Sequence, residues 1–562
     1  MVFKKTSIAV AICCFLLVTA VLNIPEAVGL AHNGDFTRII YPSRIEYTNP
    51  IKYERYVSEY TMRIAKGNLF RQAVSLVLPD FSTYKYVTSV LLPVVLSKIP
   101  NVLYNLLTGS TVTAYNLFWL GIMYAGLFAY SIYLILFFVY KRFGKGMFIF
   151  ASFVSVFVFC DQGYILYFHS FYGEALQFVS TLLAIGLFLR LTEKNDASLL
   201  SNTVYYAVVI IMATTKNAYM PVGLLFSALP LFNRLPSDHF RMKPAKSDMT
   251  FTKKAVFSLL SCMTLIVFSI ILTPKWISCD TNFNAVFSGI LKYSATAERD
   301  LVDLGLDPSL SILKGWESYM EDYPVDIESE DFNDQFFSRI NKAKILAFYL
   351  RHPVRLFEAM EISASYSKYI RPLYLGNKQN PSVSAEQSYR FSIWETIRVY
   401  ACVSSFWFVV FVFVLSAALC LWCFVKHKLD LALSVLLLSV ILSAAYNFII
   451  PYISNGICDI AKHMFGFIQL YDMMLCVLVG FCIWNVCALL KNSKQRVRHS
   501  LSNHLSIMSR IVFASESGWD ANIQVVQGAK PLVYETPDDD KLATNNTYRN
   551  RRNLKKRLKT TE

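Results

Sequence analysis

Residues 431–450 read LALSVLLLSVILSAAYNFII, a predominantly apolar stretch without a single charged side chain. A transmembrane helix needs about 20 such residues. Lys426 and Lys428 precede the stretch, and the first cation after it is Lys462. The stretch therefore predicts a membrane-spanning helix that starts on the more basic side of a membrane.

The composition of the whole chain also indicates an integral membrane protein. Of its 562 residues, 55% are hydrophobic and 15% are aromatic. Only 17% are charged, whereas soluble proteins average about 25%. The net charge of +15 comes largely from the tail after Lys491 and from residues that flank apolar stretches. This pattern is typical of membrane orientation and excludes a nucleic-acid-binding face.

The apolar stretches predict an all-α polytopic protein with about ten transmembrane helices. Basic residues cluster in alternate connections, so the positive-inside rule places both termini in the cytoplasm. Basic loops flank the stretch 203–232 on both sides, so we expect two short helices there, with an apex at residues 214–217. The predicted spans are 7–24, 115–140, 146–160, 175–189, 203–213, 219–232, 255–272, 399–425, 431–450 and 464–490.

This topology leaves two long extracytoplasmic segments, 25–114 and 273–398. The first contains an amphipathic stretch, 84–99, which we expect to lie at the membrane interface. The spans and these segments form one predicted membrane domain, 1–490. The basic tail, 491–562, is predicted to be mostly disordered and cytoplasmic. It either serves only to fix the topology or also contacts anionic lipid.

Ionisable side chains at membrane depth are costly and therefore point to functional sites. On the predicted topology they occur at four places, all on the outer side. The first place follows the first span, where Asp35 stands close to Arg38. A carboxylate there can act as a general base beside a phosphate-binding cation. The alternative is a simple loop turn, because Asn33 and Gly34 are ordinary turn residues.

The second and third places are the apices of two predicted hairpins. Glu174, with His169 and Tyr172 just before it, either faces a polar cavity or only stabilises the first turn of a helix. Lys216, followed by Asn217, either holds an anionic headgroup or extends its ammonium to the membrane surface.

The fourth place leads into the last span. Lys462 and His463 are candidates to bind phosphate, and Asp459 is placed to orient one of them; interfacial anchoring is the alternative. Asp472 lies deeper in the span, where a carboxylate needs a partner from another helix.

Other chemistries leave no signature in the sequence. No Cys-x-x-Cys loop pair, His-Glu-x-x-His motif or Walker motif is present, so neither a metal centre nor ATP-driven transport is predicted. Dependence on a divalent cation stays open, as does any other cofactor. Cys279 and Cys458 both fall in predicted outer segments and are a possible disulfide pair.

Several pieces of the chain, in this order, resemble bacterial glycan-biosynthesis hexose transferases of the WsfD type, in or near the GT-C superfamily. They are NGDFTR at 33–38, FHSFYGE at 168–174, KN at 216–217, FNAVFSGIL at 283–291, DLVDLGLD at 300–307, RHP at 351–353, LGN at 375–377 and DIAKH at 459–463.

The resemblance implies a GT-C-like fold and a set of site residues. In that superfamily an acidic residue of the first outer loop is the usual catalytic base, and here it corresponds to Asp35. Glu174 would be a second acid or an acceptor contact. The residues expected to bind the donor phosphate are Arg38, Lys216, Lys462 and His463. Those expected to support the site are Asn33, His169, Tyr172, Asn217, Asp459 and Asp472.

The implied activity is transfer of a hexose-type sugar from a polyprenyl-phosphate-linked donor. The acceptor would be a cell-envelope glycan or a lipid, at the outer face of a bacterial cytoplasmic membrane. Two other readings stay open: a transporter or flippase of a lipid-linked saccharide, and a non-catalytic membrane assembly factor. The sequence does not distinguish the sugar, the acceptor, a monophosphate from a diphosphate donor, or the oligomeric state.

Overall fold

The computed structural model describes residues 2–49, 53–82, 86–194, 198–232, 249–271, 274–379, 387–426 and 429–486, together with residues 502 and 505–506. The chain divides into two units, Met1–Ala488 and Leu489–Glu562. Apart from three positions, the predicted disordered tail, 491–562, lies outside the described residues.

The chain begins with a long helix and then forms a small sheet that was not predicted. The sheet has the order β1-β2-β3 and is antiparallel, with Tyr60 opposite Tyr115. The all-α prediction is wrong here, because strands of three or four residues are too short to show an alternating pattern. The elements are α1 (Val2–Asn23), α2 (Thr37–Ile40), β1 (Ile45–Tyr47), β2 (Glu59–Met62), α3 (Leu69–Val77), α4 (Leu91–Thr108) and β3 (Ala114–Asn116).

Helix α4 differs from the interfacial stretch predicted at 84–99. It runs on through Pro100 to Thr108 and is apolar and long enough to cross a membrane. Its exposed side includes Leu92, Leu96 and Leu103. The predicted stretch stopped at residue 99, just before Pro100, but the structure accommodates this proline inside the helix. Tyr84 and Lys85 lie outside the described residues.

Helix α5 (Phe118–Phe157) doubles back on itself at Gly144. There φ is 84° and ψ is −172°, a conformation that favours glycine. The ring of Phe178 lies 5.8 Å from that of Phe128 and 6.1 Å from that of Phe159. A straight helix would separate Phe128 and Phe159 by about 46 Å. The two predicted spans 115–140 and 146–160 are therefore the two arms of α5.

The next elements include the predicted pair of short helices. Helix α8 ends at Ala213, and the following turn lies at the predicted apex. The elements are α6 (Gln162–Ile165), a 3₁₀ turn (Leu166–His169), α7 (Gly173–Lys194), α8 (Leu199–Ala213), a 3₁₀ turn (Asn217–Tyr219), α9 (Met220–Ala228), a further 3₁₀ turn (Leu229–Phe232) and α10 (Met249–Ile271).

The second long segment is a series of short helices. They are α11 (Lys275–Phe283), a π-helix (Asn284–Ile290), α12 (Ala297–Leu304), a 3₁₀ helix (Pro308–Leu313), α13 (Glu330–Phe332), a π-helix (Asn333–Phe337), α14 (Lys342–Arg351), α15 (Pro353–Tyr366) and α16 (Ile393–Ala401). The last four elements are α17 (Phe406–Val425), α18 (Leu431–Asn455), α19 (Ile460–His463) and α20 (Phe465–Val486). The predicted span 399–425 is interrupted between α16 and α17.

The described residues include seven helices long and apolar enough to span a membrane: α1, α4, α5, α7, α17, α18 and α20. Helices α8 and α9 belong to shorter apolar stretches. The prediction of about ten spans counted the arms of α5 separately, included α8, α9 and α10, and left out α4. Ten crossings, cytoplasmic termini and extracytoplasmic segments stay predictions.

A backbone contact joins the first π-helix to the turn after α18. Gly456 has φ 59° and ψ −143°, a conformation that side chains rarely allow. A Cβ atom there would lie 2.6 Å from both Gly289 N and Asn284 O. Because Asp459 and Lys462 follow within two turns, this contact determines where the loop places their side chains.

We expect Gly456→Ala to lower stability more than Gly109→Ala. Gly109 also has a positive φ, 70°, but a Cβ there would meet nothing within 4 Å. The alanine at Gly456 adds a collision with the backbone of the π-helix Asn284–Ile290, which costs about 1–3 kcal/mol. Thermal unfolding of the purified variants in detergent measures the difference. Equal melting temperatures of the Gly456→Ala and Gly109→Ala variants would show that the backbone contact at Gly456 does not stabilise the protein.

Candidate functional site: a charged cluster at one end of the helices

The cluster forms where loops from distant parts of the chain meet. The loop after α1 carries Asp35, the short helix α2 carries Arg38, and the start of α7 carries Glu174. The turn between α8 and α9 carries Lys216, and the connection between α18 and α20 carries Lys462. The fold thus brings together residues from all four of the places that were identified in the sequence.

Asp35 contacts two cations. Its carboxylate forms ion pairs with Arg38, one turn later, and with Lys462, 427 residues further along the chain. The Asp35 side chain is 28% exposed, whereas that of Lys462 is 2% exposed. A carboxylate that is reachable from solvent is thus held by one buried and one half-buried cation.

Asp459 fixes Lys462 from the other side. It has a left-handed backbone conformation with φ 51°, which Asp tolerates better than most residues. Its carboxylate pairs with Lys462. It also accepts hydrogen bonds from Asn33 Nδ2, at 2.8 Å, and from the Tyr374 hydroxyl. This network links the loop after α1 to the start of α19.

Tyr172 completes the wall beside Lys462. Its hydroxyl lies 2.9 Å from Asn33 Oδ1 and 2.8 Å from the Ala31 carbonyl oxygen, to which it can donate. Lys462 Nζ lies 5.1 Å from the centre of the Tyr172 ring, within cation–π distance. Burial acts to lower the pKa of Lys462, but the carboxylates of Asp459 and Glu174 outweigh it and raise that pKa. Lys462 is therefore cationic at neutral pH.

Glu174 and Lys216 form a second ion pair next to the first. Glu174 is 1% exposed, and its Oε2 atom has no hydrogen-bond partner among the described residues. Burial lowers the pKa of Lys216, with Lys462 and Arg38 acting in the same direction and Glu174 opposing them. The two ion pairs therefore lie close enough for the charges of one to shift the pKa values of the other. A buried carboxylate oxygen without a donor is free to accept a hydrogen bond from a ligand.

His463 and the surroundings of Arg38 complete the cluster. Burial and the charges of Lys216 and Lys462 hold the pKa of His463 well below its usual range. His463 is thus neutral at pH 7 and cannot serve as a fourth cation beside Arg38, Lys216 and Lys462. The Arg38 guanidinium lies 5.7 Å from the Trp276 ring centre. Burial raises the pKa of nearby Asp280, and Arg38 acts against this shift.

Two of the residues predicted to support the site, His169 and Asp472, make their polar contacts outside the charged cluster. His169 Nδ1 donates to the Val28 carbonyl oxygen at 2.9 Å. Its Nε2 faces Gly121, where a Cβ would lie only 2.3 Å away. Burial lowers the pKa of His169 to about 4, so it is a neutral packing residue between the loop after α1 and helix α5.

Asp472 has the partner that its depth requires, but it belongs to another cluster. It pairs with Arg398 on α16 and accepts hydrogen bonds of 2.6 Å from both the Tyr164 hydroxyl and Trp394 Nε1. These contacts fasten the second long segment to α20. Asn217 begins the 3₁₀ turn beside Lys216 and makes a polar or electrostatic contact of its own.

Sequence reasoning missed several side chains of the site. Tyr374, Trp276 and Asp280 come from the second long segment, which is sparsely apolar and gave no signal of membrane depth. Tyr374 directly precedes the LGN piece at 375–377, which was the available hint. His32 was also passed over, although its Nδ1 accepts a hydrogen bond from Gly34 N at 3.0 Å and so shapes the Asp35 loop.

The structure also bears on the proposed disulfide and on metals. Cys279 and Cys458 are free thiols, so the possible pair is not formed. Within the described ranges, no three or more His, Cys, Asp or Glu side chains are grouped so that they could hold a metal ion.

The fold and the cluster define a multi-pass helical membrane protein with a polar site at one end of its helices. The comparisons with known proteins agree. The chain belongs to the family of the YfdI N-terminal transmembrane domain, whose model matches residues 2–499. No curated protein matches the chain, and no solved structure matches it.

We expect the Arg398–Asp472 pair to be structural. Removing one partner leaves an uncompensated buried charge, which costs about 3–5 kcal/mol. Arg398→Met or Asp472→Leu alone should therefore lower the melting temperature strongly, and the double variant should recover much of the loss. Glu46→Gln, at a pair whose side chains are 37% and 44% exposed, is the matched control and should change little. Additive losses in the double variant would contradict this role.

Proposed function

We propose that this protein is a GT-C-type glycosyltransferase. It would transfer a hexose-type sugar from a polyprenyl-phosphate-linked donor to a cell-envelope glycan or lipid acceptor. Membership in the YfdI family supports the proposal, because this family is GT-C-type glycosyltransferase-like. The observation that carries it is the contact of Asp35 with both Arg38 and Lys462.

Asp35 is the proposed general base. It is the most exposed carboxylate of the two ion-pair networks, so an acceptor hydroxyl can reach it. In the reaction, the acceptor oxygen forms a bond to the anomeric carbon of the sugar, and the bond from that carbon to the phosphate oxygen breaks. The acceptor proton passes to Asp35, and the phosphate leaves with the bonding electron pair.

Arg38, Lys462 and Lys216 are the proposed phosphate ligands. Their charges are balanced by Asp35, Asp459 and Glu174 in the absence of substrate. An incoming phosphate offers the cations a second anion, so it can draw Arg38 and Lys462 away from Asp35. Loss of these cations raises the proton affinity of a carboxylate. Donor binding would thus prepare Asp35 to act as a base, which favours binding of the donor before the acceptor.

Glu174 has a different proposed role. Its pairing with Lys216 and its burial keep it from solvent, and its unpartnered Oε2 is an acceptor for a sugar or acceptor hydroxyl. His463, being neutral, would contribute a hydrogen bond to the phosphate and no charge. Asn33, Tyr172, Tyr374 and Asp459 would position Lys462.

The proposal includes an outer-face site in a bacterial cytoplasmic membrane. The basic residues Lys141, Arg142 and Lys145 at the fold of α5 support a cytoplasmic location for that end of the helices. The charged cluster lies at the opposite ends of α7, α18 and α20. A flippase or an assembly factor is the alternative, and neither requires a base at Asp35.

Asp35→Asn should abolish most sugar transfer. The amide keeps the shape of the side chain but cannot accept the proton, and general-base catalysis contributes about 10²–10⁴-fold. The measurement is transfer of labelled sugar from a polyprenyl-phosphate donor pool in membranes at equal expression. Glu321→Gln, at an exposed carboxylate of the second long segment, is the control and should retain activity. Undiminished transfer by Asp35→Asn would reject the base.

Donor binding should weaken at alkaline pH through Lys216. Since burial lowers the pKa of Lys216, this residue loses its proton at a lower pH than an ordinary lysine, while Lys462 keeps its charge. The loss of one charge-assisted hydrogen bond corresponds to at least about ten-fold in affinity. Binding of a fluorescent polyprenyl phosphate between pH 7 and about pH 10 tests this, with the ordinary lysine pKa near 10.4 as reference.

Lys216→Arg is the matched variant for this experiment. Arginine keeps its charge throughout that range, so its alkaline loss of affinity should be much smaller than that of the wild type. Lys66→Arg, at an exposed lysine, should behave as wild type. The same alkaline loss in Lys216→Arg would show that another group is responsible.

A further inference from the structure

A large apolar cavity lies at the other end of the helices, apart from the charged cluster. Its volume is about 330 Å³, and it is partly open. Its walls come from both arms of α5 and from α7, α17, α18 and α20; they include Phe143, Met147, Ala151, Ser416, Cys420 and Phe481. A volume of this size is within the range of pockets that hold small ligands.

The walls exclude water as the occupant. The hydroxyls of Ser155 and Ser416 donate to the carbonyl oxygens of Ala151 and Val412, one turn earlier in their own helices, at 2.8 and 2.7 Å. The Cys420 thiol donates to the Ser434 carbonyl oxygen at 3.4 Å. A buried water needs two to four polar partners. The cavity therefore favours a hydrocarbon chain, which supplies the dispersion contacts that an empty space lacks.

The cations around the cavity indicate the headgroup of this chain. Phe143 and Met147 line the cavity and alternate along α5 with the exposed Arg142 and Lys145. Lys426, also exposed, follows the end of α17. Arg142 has one carboxylate neighbour, Asp430, at 3.7 Å. An anion bound at the fold of α5 would thus meet cations at the mouth while its chain enters between the arms.

We propose that this cavity binds an acyl chain of an anionic phospholipid, with the lipid phosphate against Lys145 and Arg142. The site is separate from the charged cluster, and the proposal does not depend on glycosyl transfer. Binding would hold the two arms of α5 against α17 and α20.

The test uses the full chain, purified in detergent and freed of bound lipid. It is incubated with equal amounts of phosphatidylglycerol and phosphatidylcholine that carry the same acyl chains, and the retained lipid is measured by native mass spectrometry. We expect phosphatidylglycerol to be retained preferentially, by about five-fold for each cation engaged. Equal retention of the two lipids would overturn the proposed headgroup site.

Two kinds of variant separate the headgroup from the chain. Lys145→Gln should reduce the preference by about five-fold, whereas the control Lys66→Gln should not change it. Ser416→Phe and, as a second variant, Ala151→Phe fill the cavity and should reduce retention of both lipids. If a cavity-filling variant stays monodisperse and still retains as much lipid as the wild type, the proposed acyl-chain site is wrong.

A further arm uses the unaltered chain, so it does not depend on any variant folding. Phosphatidylglycerol with a photoreactive group near its chain end should label peptides that contain Met147 or Phe481. Labelling confined to other peptides would overturn the proposal. So would displacement of phosphatidylglycerol by an equal amount of polyprenyl phosphate, because that result would assign the cavity to the polyprenyl tail.

Discussion

The buried ammonium of Lys462 is the constraint on which the site depends. Its side chain is 2% exposed, and burying a lone ammonium costs several kcal/mol unless anions compensate. Asp35 and Asp459 supply that compensation from two distant parts of the chain. The loop after α1 and the connection between α18 and α20 must therefore lie together whenever Lys462 is charged. The same requirement extends to Asn33 and Tyr374, which hold Asp459 in place.

Glycines allow the backbone to meet this constraint. Gly456 and Gly289 let the π-helix approach the turn that leads to Asp459, and Gly121 leaves room for the ring of His169. His169 in turn holds the Val28 carbonyl near the start of the Asp35 loop. Close packing at these uncharged positions thus determines where Asp35 and Lys462, which are 427 residues apart in the sequence, form their ion pair. A substitution at such a glycine would act on the site without touching any of its ionisable groups.

The sequence predicted the parts of this structure that follow from the length of apolar stretches and from the free-energy cost of placing charged side chains in a membrane. Uncharged stretches located six of the seven long apolar helices of the described residues, all except α4, and the cost of burying charge drew attention to Asp35, Glu174, Lys216 and Lys462. It did not predict the short sheet, because three-residue strands carry too little pattern. Nor could it tell which carboxylate meets which cation, because pairings over hundreds of residues depend on the packing of intervening helices. His169 and Asp472 show where this inference fails. Burying an ionisable side chain costs free energy whether the residue stabilises the fold or takes part in function, so burial alone does not distinguish the two roles.

The balance of charge in the cluster also constrains what it can bind. The ion pairs of the cluster join three cations to three carboxylates, so a neutral ligand would have to break ion pairs without offering a replacement. An anionic ligand with several oxygens can take over the cations one at a time, and each released carboxylate then becomes a hydrogen-bond or proton acceptor. In a ligand that combines a phosphate with a hydroxyl-rich group, the phosphate would bind the cations and the hydroxyls would donate to the released carboxylates. This balance of charge supports the proposed sugar-phosphate donor over a neutral saccharide, because only an anionic ligand would replace the ion pairs that its binding breaks.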